Sequence, residues 1–343
     1  MLKIEKGRLA EAFALLAESM DVLLPIRKDG LVNFGLYQDG ADVDLDALKT
    51  VVSPKEFFLP QAENLYMGQR NGNDISIQPQ KLTDAPFVVF GVKGCDVAGM
   101  AILDSVYLGD PVDRFYEARR KHGTVVALAC ENPAVTCFCK PFSIDAANPA
   151  ADATAWLTGE WLYIEPTTEK GKELAKALAP LMEGADGAEV RAQQEEIRGK
   201  VDALPYSSLS LETFASRELL ELFDSPVWDR MHDACLACGT CTFVCPTCQC
   251  YDIADFDTGN GVIRYRCWDS CMYSDFTLMA HGNSRKSQKE RFRQRYMHKL
   301  VYHPRNNGGV FGCVGCGRCV NKCPVSLNIV KVIKKFGGGN DVQ

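Results

Sequence analysis

The chain has little of what membrane proteins, nucleic-acid binders or self-sufficient enzymes require. No stretch approaches the roughly 18 apolar residues of a membrane helix, so no membrane insertion is expected. The opening segment, MLKIEKGRLAEAFALLAE, carries acids within its apolar periodicity. It reads as an amphipathic helix over about 5–19 and not as a signal peptide. Arg119-Arg120 is a twin arginine, but it lies mid-chain with no apolar run after it. There is no basic excess: the net charge of −6 and a pI near 5.5 give no reason to expect nucleic acid. No G-x-G-x-x-G follows a strand and no P-loop is present, so no nucleotide fingerprint is found. No Ser/His/Asp or paired-carboxylate constellation stands out either. Without a targeting segment the expected compartment is a reducing cytoplasm, where sixteen cysteines mean metal rather than disulfides.

The length, 343 residues, suggests two domains, and 46% hydrophobic content with a mean hydropathy of −0.12 is ample for a core. Half of the cysteines fall into two copies of one pattern. CLACGTCTFVCP places Cys235, Cys238, Cys241 and Cys245 before Pro246; CVGCGRCVNKCP places Cys313, Cys316, Cys319 and Cys323 before Pro324. Both are C-x2-C-x2-C-x3-C-P, the run with which bacterial ferredoxins hold [4Fe–4S] cubanes. A cubane needs a soft thiolate at each of four iron corners. The x2 steps wrap three corners, and Gly239, Gly315 and Gly317 let backbone N–H groups approach the sulfurs. The fourth cysteine ligates the other cluster in two-cluster proteins. One cluster is therefore assigned to Cys235, Cys238, Cys241 and Cys323, the other to Cys313, Cys316, Cys319 and Cys245. Zinc would use paired C-x2-C knuckles and fits this spacing poorly.

The gap between the two runs is long, reads helical at 286–301, and is followed after Pro324 by SLNIVKVIKKF. In that segment Leu327, Val330, Val332 and Ile333 share a face. Such features predict a mostly α-helical ferredoxin domain over 216–343, behind an N-terminal α/β domain over 1–215, an α+β chain overall. In the N-terminal part, DVLLPIRKDGLVNFGLY reads as two strands joined through Lys28-Asp29-Gly30. Phe57, Phe58 and Leu59 are most simply core. PFVVFGV and GTVVALAC are continuous apolar runs typical of buried strands, with a helix between them. Strand–helix–strand implies neighbouring parallel strands whose C-terminal ends share one edge, where α/β folds gather ligands. Cys95, Cys130, Cys137 and Cys139 fall on that edge, a set that would suit a third cubane; zinc, or small buried hydrophobes, are the other readings. Residues 140–230 lack cysteine and read as a strand near Trp161–Ile164 followed by three helical segments.

Cys248 and Cys250 in CPTCQC, and Cys267 and Cys271 in RCWDSC, lie between the two runs. They could form a further metal site, supply an alternative ligand or remain free thiols. Eight ligands already satisfy two cubanes, so they are expected to be non-ligands. Residues 285–305 carry eight Lys/Arg against Glu290 alone, with Phe292, Tyr296 and Leu300 as an apolar stripe. The basic face would be solvated, would stabilise reduced clusters, or would dock an acidic partner. His281, His298 and His303 are read as satisfied polar residues.

In combination, FFLPQAENL, FGVKGCDVAGMAILD, CENPAVTCFC, CLACGTCTFVCPTCQCYDI, RCWDSC, HGNSRKSQKERFRQRYMHK and CVGCGRCVNKCPVSLNI resemble a family. It comprises the iron–sulfur (beta) subunits of cytoplasmic sulfhydrogenases and the corresponding iron–sulfur subunits of anaerobic sulfite reductases. The resemblance covers most of the chain and is weakest around 140–225. It implies an electron-transfer subunit with two ferredoxin-type clusters and a third held by Cys95, Cys130, Cys137 and Cys139. It also implies two partners: a flavin subunit that exchanges electrons with NAD(P)H, and a terminal catalytic subunit of hydrogenase, sulfite reductase or heterodisulfide-reductase type. Cys248, Cys250 and Cys271 look like family positions, and Cys267 looks like an extra. The expected function is thus a non-catalytic electron relay with no catalytic residue of its own. The alternative is a cysteine- or cluster-based reductase acting on a sulfur or disulfide substrate.

Overall fold

The structure is a computed structural model and describes residues 1–338. Two compact units are present. The first is Met1–Pro54, Asp84–Ser210 and Cys313–Arg318; the second is Lys55–Thr83, Leu211–Gly312 and the residues from Cys319 onward. The sequence places a single boundary at 215/216. The main crossing lies near there, at Ser210/Leu211, but each unit also takes a short segment from the other's stretch of sequence.

The strands, in chain order, begin with β1 (Leu2–Glu5), β2 (Asp21–Lys28), β3 (Leu31–Leu36), β4 (Ala62–Asn71), β5 (Asp74–Pro79) and β6 (Phe87–Val92). There follow β7 (Gly123–Leu128), β8 (Ala153–Thr158), β9 (Trp161–Pro166), β10 (Glu183–Gly184), β11 (Tyr251–Asp257) and β12 (Gly261–Trp268).

The first unit is built on a sheet of order β10-β1-β9-β8-β7-β6-β2-β3. Its centre, β2, β6, β7 and β8, is parallel, and the outer pairings are antiparallel. Every residue of β6 is buried, as expected for a parallel strand covered on both faces. The helices Gly94–Tyr107 and Arg114–His122 link β6 to β7, and the two strands are parallel, so both end on the same edge. The β2–β3 hairpin turns at Asp29 and Gly30, whose φ values of 52° and 77° suit the right-handed twist of the strands. Beneath the sheet the helix Leu9–Ala17 buries Phe13 and Leu16 against Val22, Leu24, Val88 and Phe90. Phe13 meets Phe90 edge-on at 5.4 Å between ring centroids.

In the second unit an antiparallel sheet of order β11-β12-β4-β5 stands beside short helices. The sequence reading of this part as mostly helical missed that sheet. Its strands carry charges on both faces, as in YDIADFD, and the β12–β4 ladder joins segments far apart in the chain. A buried ion pair, Arg266 to Glu63 at 2.5 Å, ties that ladder together across 203 positions. The expected third helical segment breaks into Glu212–Ser216, Leu219–Phe223 and Val227–Met231. Trp228 from the last of these packs on Phe292, Tyr296 and Phe336. Phe292 and Tyr296 project from Gln288–Met297, a helix opened by a Ser287/Glu290 capping box and continued by a π-turn, His298–Tyr302. The closing helix Ile329–Phe336 buries Val330, Val332 and Ile333, while Leu327 before it is half-buried. Phe58 and Leu59 are core, and Phe57 is half-buried.

Candidate metal centres

In the first unit one cavity is lined by Cys95, Cys130, Cys137, Cys139 and Cys316, with Lys49 and Lys93 in its wall. Cys95 sits in the first turn of the helix after β6, and Cys130 stands two residues past β7, its N–H donating to Ala146 O at 2.9 Å. Cys137 and Cys139 come from a loop whose Phe138 N–H donates to Gly315 O at 2.9 Å. Gly315 is fixed by that approach: its φ is +59°, and a Cβ there would lie 2.0 Å from Phe138 O. Cys316, which the sequence reading places in another set, is thus the fifth thiol of this wall.

The charges here suit an anionic group. Lys49 Nζ donates to Cys137 Sγ at 3.6 Å, to Thr136 Oγ1 at 3.2 Å and to Cys316 O at 3.1 Å. Lys93 is 8% exposed and faces Cys130 and Cys95. Burial pushes the Cys130 thiol up to about 11, that of Cys139 up to about 12, and that of Cys95 well above the usual range. These thiols hold their protons until a metal displaces them. Five soft thiols and two lysines around one cavity fit an anionic cubane, whose iron corners each take a thiolate.

A second cavity, within the second unit, is lined by Cys235, Cys238, Cys241 and Cys323 together with Met272, Phe292, Arg295 and Tyr296. Ala237 and Gly239 take the left-handed conformation between the cysteines, φ 52° and 72°. Arg295 is 2% exposed. Its Nη2 donates to Cys241 O at 3.4 Å, while Nε and Nη1 have no hydrogen-bond partner. A buried guanidinium with unmet N–H groups at a thiol-lined cavity fits an anionic cluster, whose sulfurs accept hydrogen bonds. Cys238 is exposed and Thr240 holds its thiol below the ordinary value; burial pushes Cys241 up to about 11.

The remaining predicted ligands are divided. Cys313 and Cys316 belong to the first unit, Cys319 and Cys245 to the second. Cys319 faces Cys241 and Arg295. Cys245 lies 3.2 Å from Thr247 Oγ1 and accepts a hydrogen bond from the Cys248 thiol. Nearby, the Cys271 thiol donates to Cys250 and lowers it to about 7. Two buried lysines, Lys55 and Lys299, face these thiols. Sequence reasoning missed Lys49, Lys55, Lys93 and Lys299. The one available signal was Lys299, which stands beside Leu300 of the Phe292, Tyr296, Leu300 stripe. His303 Nδ1 lies 2.8 Å from Val310 O, burial lowers His298 to about 4, and His281 is exposed.

Thiols set around cationic cavities, on the C-x2-C-x2-C-x3-C-P spacing, define a ferredoxin-type iron–sulfur protein. Residues 234–327 match the family model of the 4Fe-4S dicluster domain. Over 341 residues, 98% of this chain and 98% of the relative, the sequence is 33% identical to Sulfhydrogenase 2 subunit beta of Pyrococcus furiosus. The chain belongs to the sulfhydrogenase beta-subunit family and is an iron–sulfur electron-transfer subunit. No solved structure matches it. Among the described residues no helix is long and apolar enough to cross a membrane.

Proposed function

We propose that the chain relays single electrons, in the cytoplasm, between a flavin subunit that exchanges them with NAD(P)H and a terminal catalytic subunit of hydrogenase, sulfite reductase or heterodisulfide-reductase type. The observation that carries this reading is the second-unit cavity, where Cys323 stands with Cys235, Cys238 and Cys241. Those four residues hold one [4Fe–4S] cluster; Cys313, Cys316, Cys319 and Cys245 hold another; Cys95, Cys130, Cys137 and Cys139 hold a third. Such clusters supply one-electron transfer, whereas hydride chemistry falls to a nicotinamide or flavin. The chain's own contribution is to set ligands, cations and distance. Buried Arg295 and Lys93 and half-buried Lys49 place positive charge beside the thiolates, which favours the reduced state. Cys316, in the wall of the N-terminal cavity, makes that set the entry relay toward the cluster it ligates.

The test uses the purified chain, reconstituted without oxygen, with NADH or NADPH and an artificial acceptor. It should be silent until the flavin subunit is added, and Cys95→Ala should then block reduction of the clusters held by the two ferredoxin-type runs. Dye reduction by this chain alone, with flavin recovered from it, would overturn the reading.

A further inference from the structure

Four thiols between the two ferredoxin-type runs, Cys248, Cys250, Cys267 and Cys271, remain outside the twelve ligands. Cys250 immediately precedes β11 and Cys271 follows β12 by three residues. The hairpin register, Tyr251 opposite Trp268, brings the two ends together, and Asp269 N–H donates to Cys250 O at 2.9 Å. Cys271 and Cys250 are in side-chain contact, and Cys248 contacts Cys245. Cys267 is different. It stands on β12 opposite Asp252, and the charges that act on it are Asp252 and Asp269, not thiols.

Three buried cations surround the group. Lys55, 2% exposed, donates to Cys248 O at 2.6 Å and Cys245 O at 2.8 Å, and lies 4.2 Å from the Trp268 ring centroid. Lys299, 5% exposed, donates to Thr247 Oγ1 at 2.6 Å and Gly312 O at 2.9 Å, and faces Cys248, Cys250 and Cys271. Arg295, one helical turn before Lys299, faces Cys248 and Cys271. Burying three cations carries a large desolvation cost, and an anionic group among them offsets it.

We propose that Cys248, Cys250 and Cys271 hold a fourth iron–sulfur centre, its charge balanced by Lys55, Lys299 and Arg295. Cys245 stays with its own cluster, so the protein supplies three thiolates here. One iron of a cubane would then be left to a non-cysteine ligand, or the centre has three irons. The donor set is soft and favours iron–sulfur over a hard cation.

The experiment compares the oxygen-free, reconstituted full chain with C248S/C250S/C271S. The variant should contain about three to four fewer iron per chain, with the spectroscopic signals of the other clusters retained. Because a difference is measured, loss of the N-terminal cluster from both samples would leave the result intact. A second measurement uses the wild-type holoprotein, so a variant that misfolds does not end the test. Alkylation followed by mass spectrometry should label Cys267 and spare Cys248, Cys250 and Cys271 until the iron is stripped with acid and chelator. Equal iron in the two proteins, zinc in place of iron, or labelling of the three cysteines in the loaded protein would overturn the proposal.

Discussion

Arg318 and Asp96 form a buried, bidentate ion pair. Nη1 reaches Oδ1 at 2.6 Å and Nη2 reaches Oδ2 at 2.8 Å, with the residues 3% and 2% exposed. Asp96 follows Cys95, so the pair pins the segment Cys313–Arg318 to the helix that carries the first N-terminal thiol. Arg318 also donates to Thr50 O, and Ser53 to Asp96. Removing one partner leaves the other buried without its counter-charge. Asp96→Ala or Arg318→Met should each lower the unfolding free energy by about 3–5 kcal/mol. The double variant Asp96→Leu/Arg318→Met should lose much less than the sum. Urea unfolding of the reconstituted chain checks this, and strictly additive losses would show that the pair is not coupled.

Gly315 gives a sharper test of how tightly the CFC loop is packed. Its φ of +59° alone would cost an alanine about 1–2 kcal/mol. Gly308 has nearly the same φ, +60°, with nothing within 4 Å of an added Cβ. Gly308→Ala should therefore show only the backbone cost. Gly315→Ala must in addition push Phe138 O away from 2.0 Å, displacing the loop that carries Cys137 and Cys139. Gly315→Ala should lose visible absorbance and iron from the N-terminal set, and Gly308→Ala should keep both. Equal behaviour of the two variants would mean that the loop yields freely.

Much of the first unit was legible in the sequence because its signals are local. Continuous apolar runs gave β6 and β7, Lys28-Asp29-Gly30 gave the hairpin, and strand–helix–strand put Cys95 and Cys130 on one edge. The two cysteine runs were readable from spacing alone. What was missed depends on partners remote in sequence. The β12–β4 ladder joins segments that show no pairing signal by themselves, and with it went the hairpin that brings Cys250 to Cys271. The buried lysines were missed because a lysine reads as surface unless a buried anion is known to face it. The basic face of 285–305 was read as solvated, docking or electrostatic; burial of Arg295 and Lys299 against thiols favours the electrostatic reading for those two.

Thiol chemistry of the cluster-free chain should be graded by environment. Cys238 is exposed and held below its ordinary value, so alkylation near neutral pH should label it first. Cys130 and Cys139, pushed up to about 11 and about 12, should react far more slowly. The same shifts set a pH dependence. In the unfolded chain these thiols titrate near 9.0, so above that pH the folded state binds more protons and stability falls as pH rises. The contribution is fully present below pH 9.0 and is lost as pH passes about 11 for Cys130. Unfolding midpoints of the cluster-free chain across this range check the sign; a rise with pH would contradict it.

The crossed ligation makes the most specific prediction. In sequence Cys323 belongs with Cys313, Cys316 and Cys319, but its side chain lines the cavity of Cys235, Cys238 and Cys241. The x3 step and the proline after it turn the fourth cysteine of each run away from its own three. Cys323→Ala should therefore damage the cluster held by Cys235, Cys238 and Cys241 and spare that held by Cys313, Cys316 and Cys319. The Cys323 position is half-buried, and Cys323 Sγ lies 3.4 Å from Leu327 O, so an alanine there removes a ligand with little loss of packing. Cys235→Ala should give the same spectroscopic loss as Cys323→Ala, and Cys319→Ala a different one. Electron paramagnetic resonance of the three reduced variants decides the matter. If Cys323→Ala instead matches Cys319→Ala, the ligands are uncrossed and each run holds its own cluster.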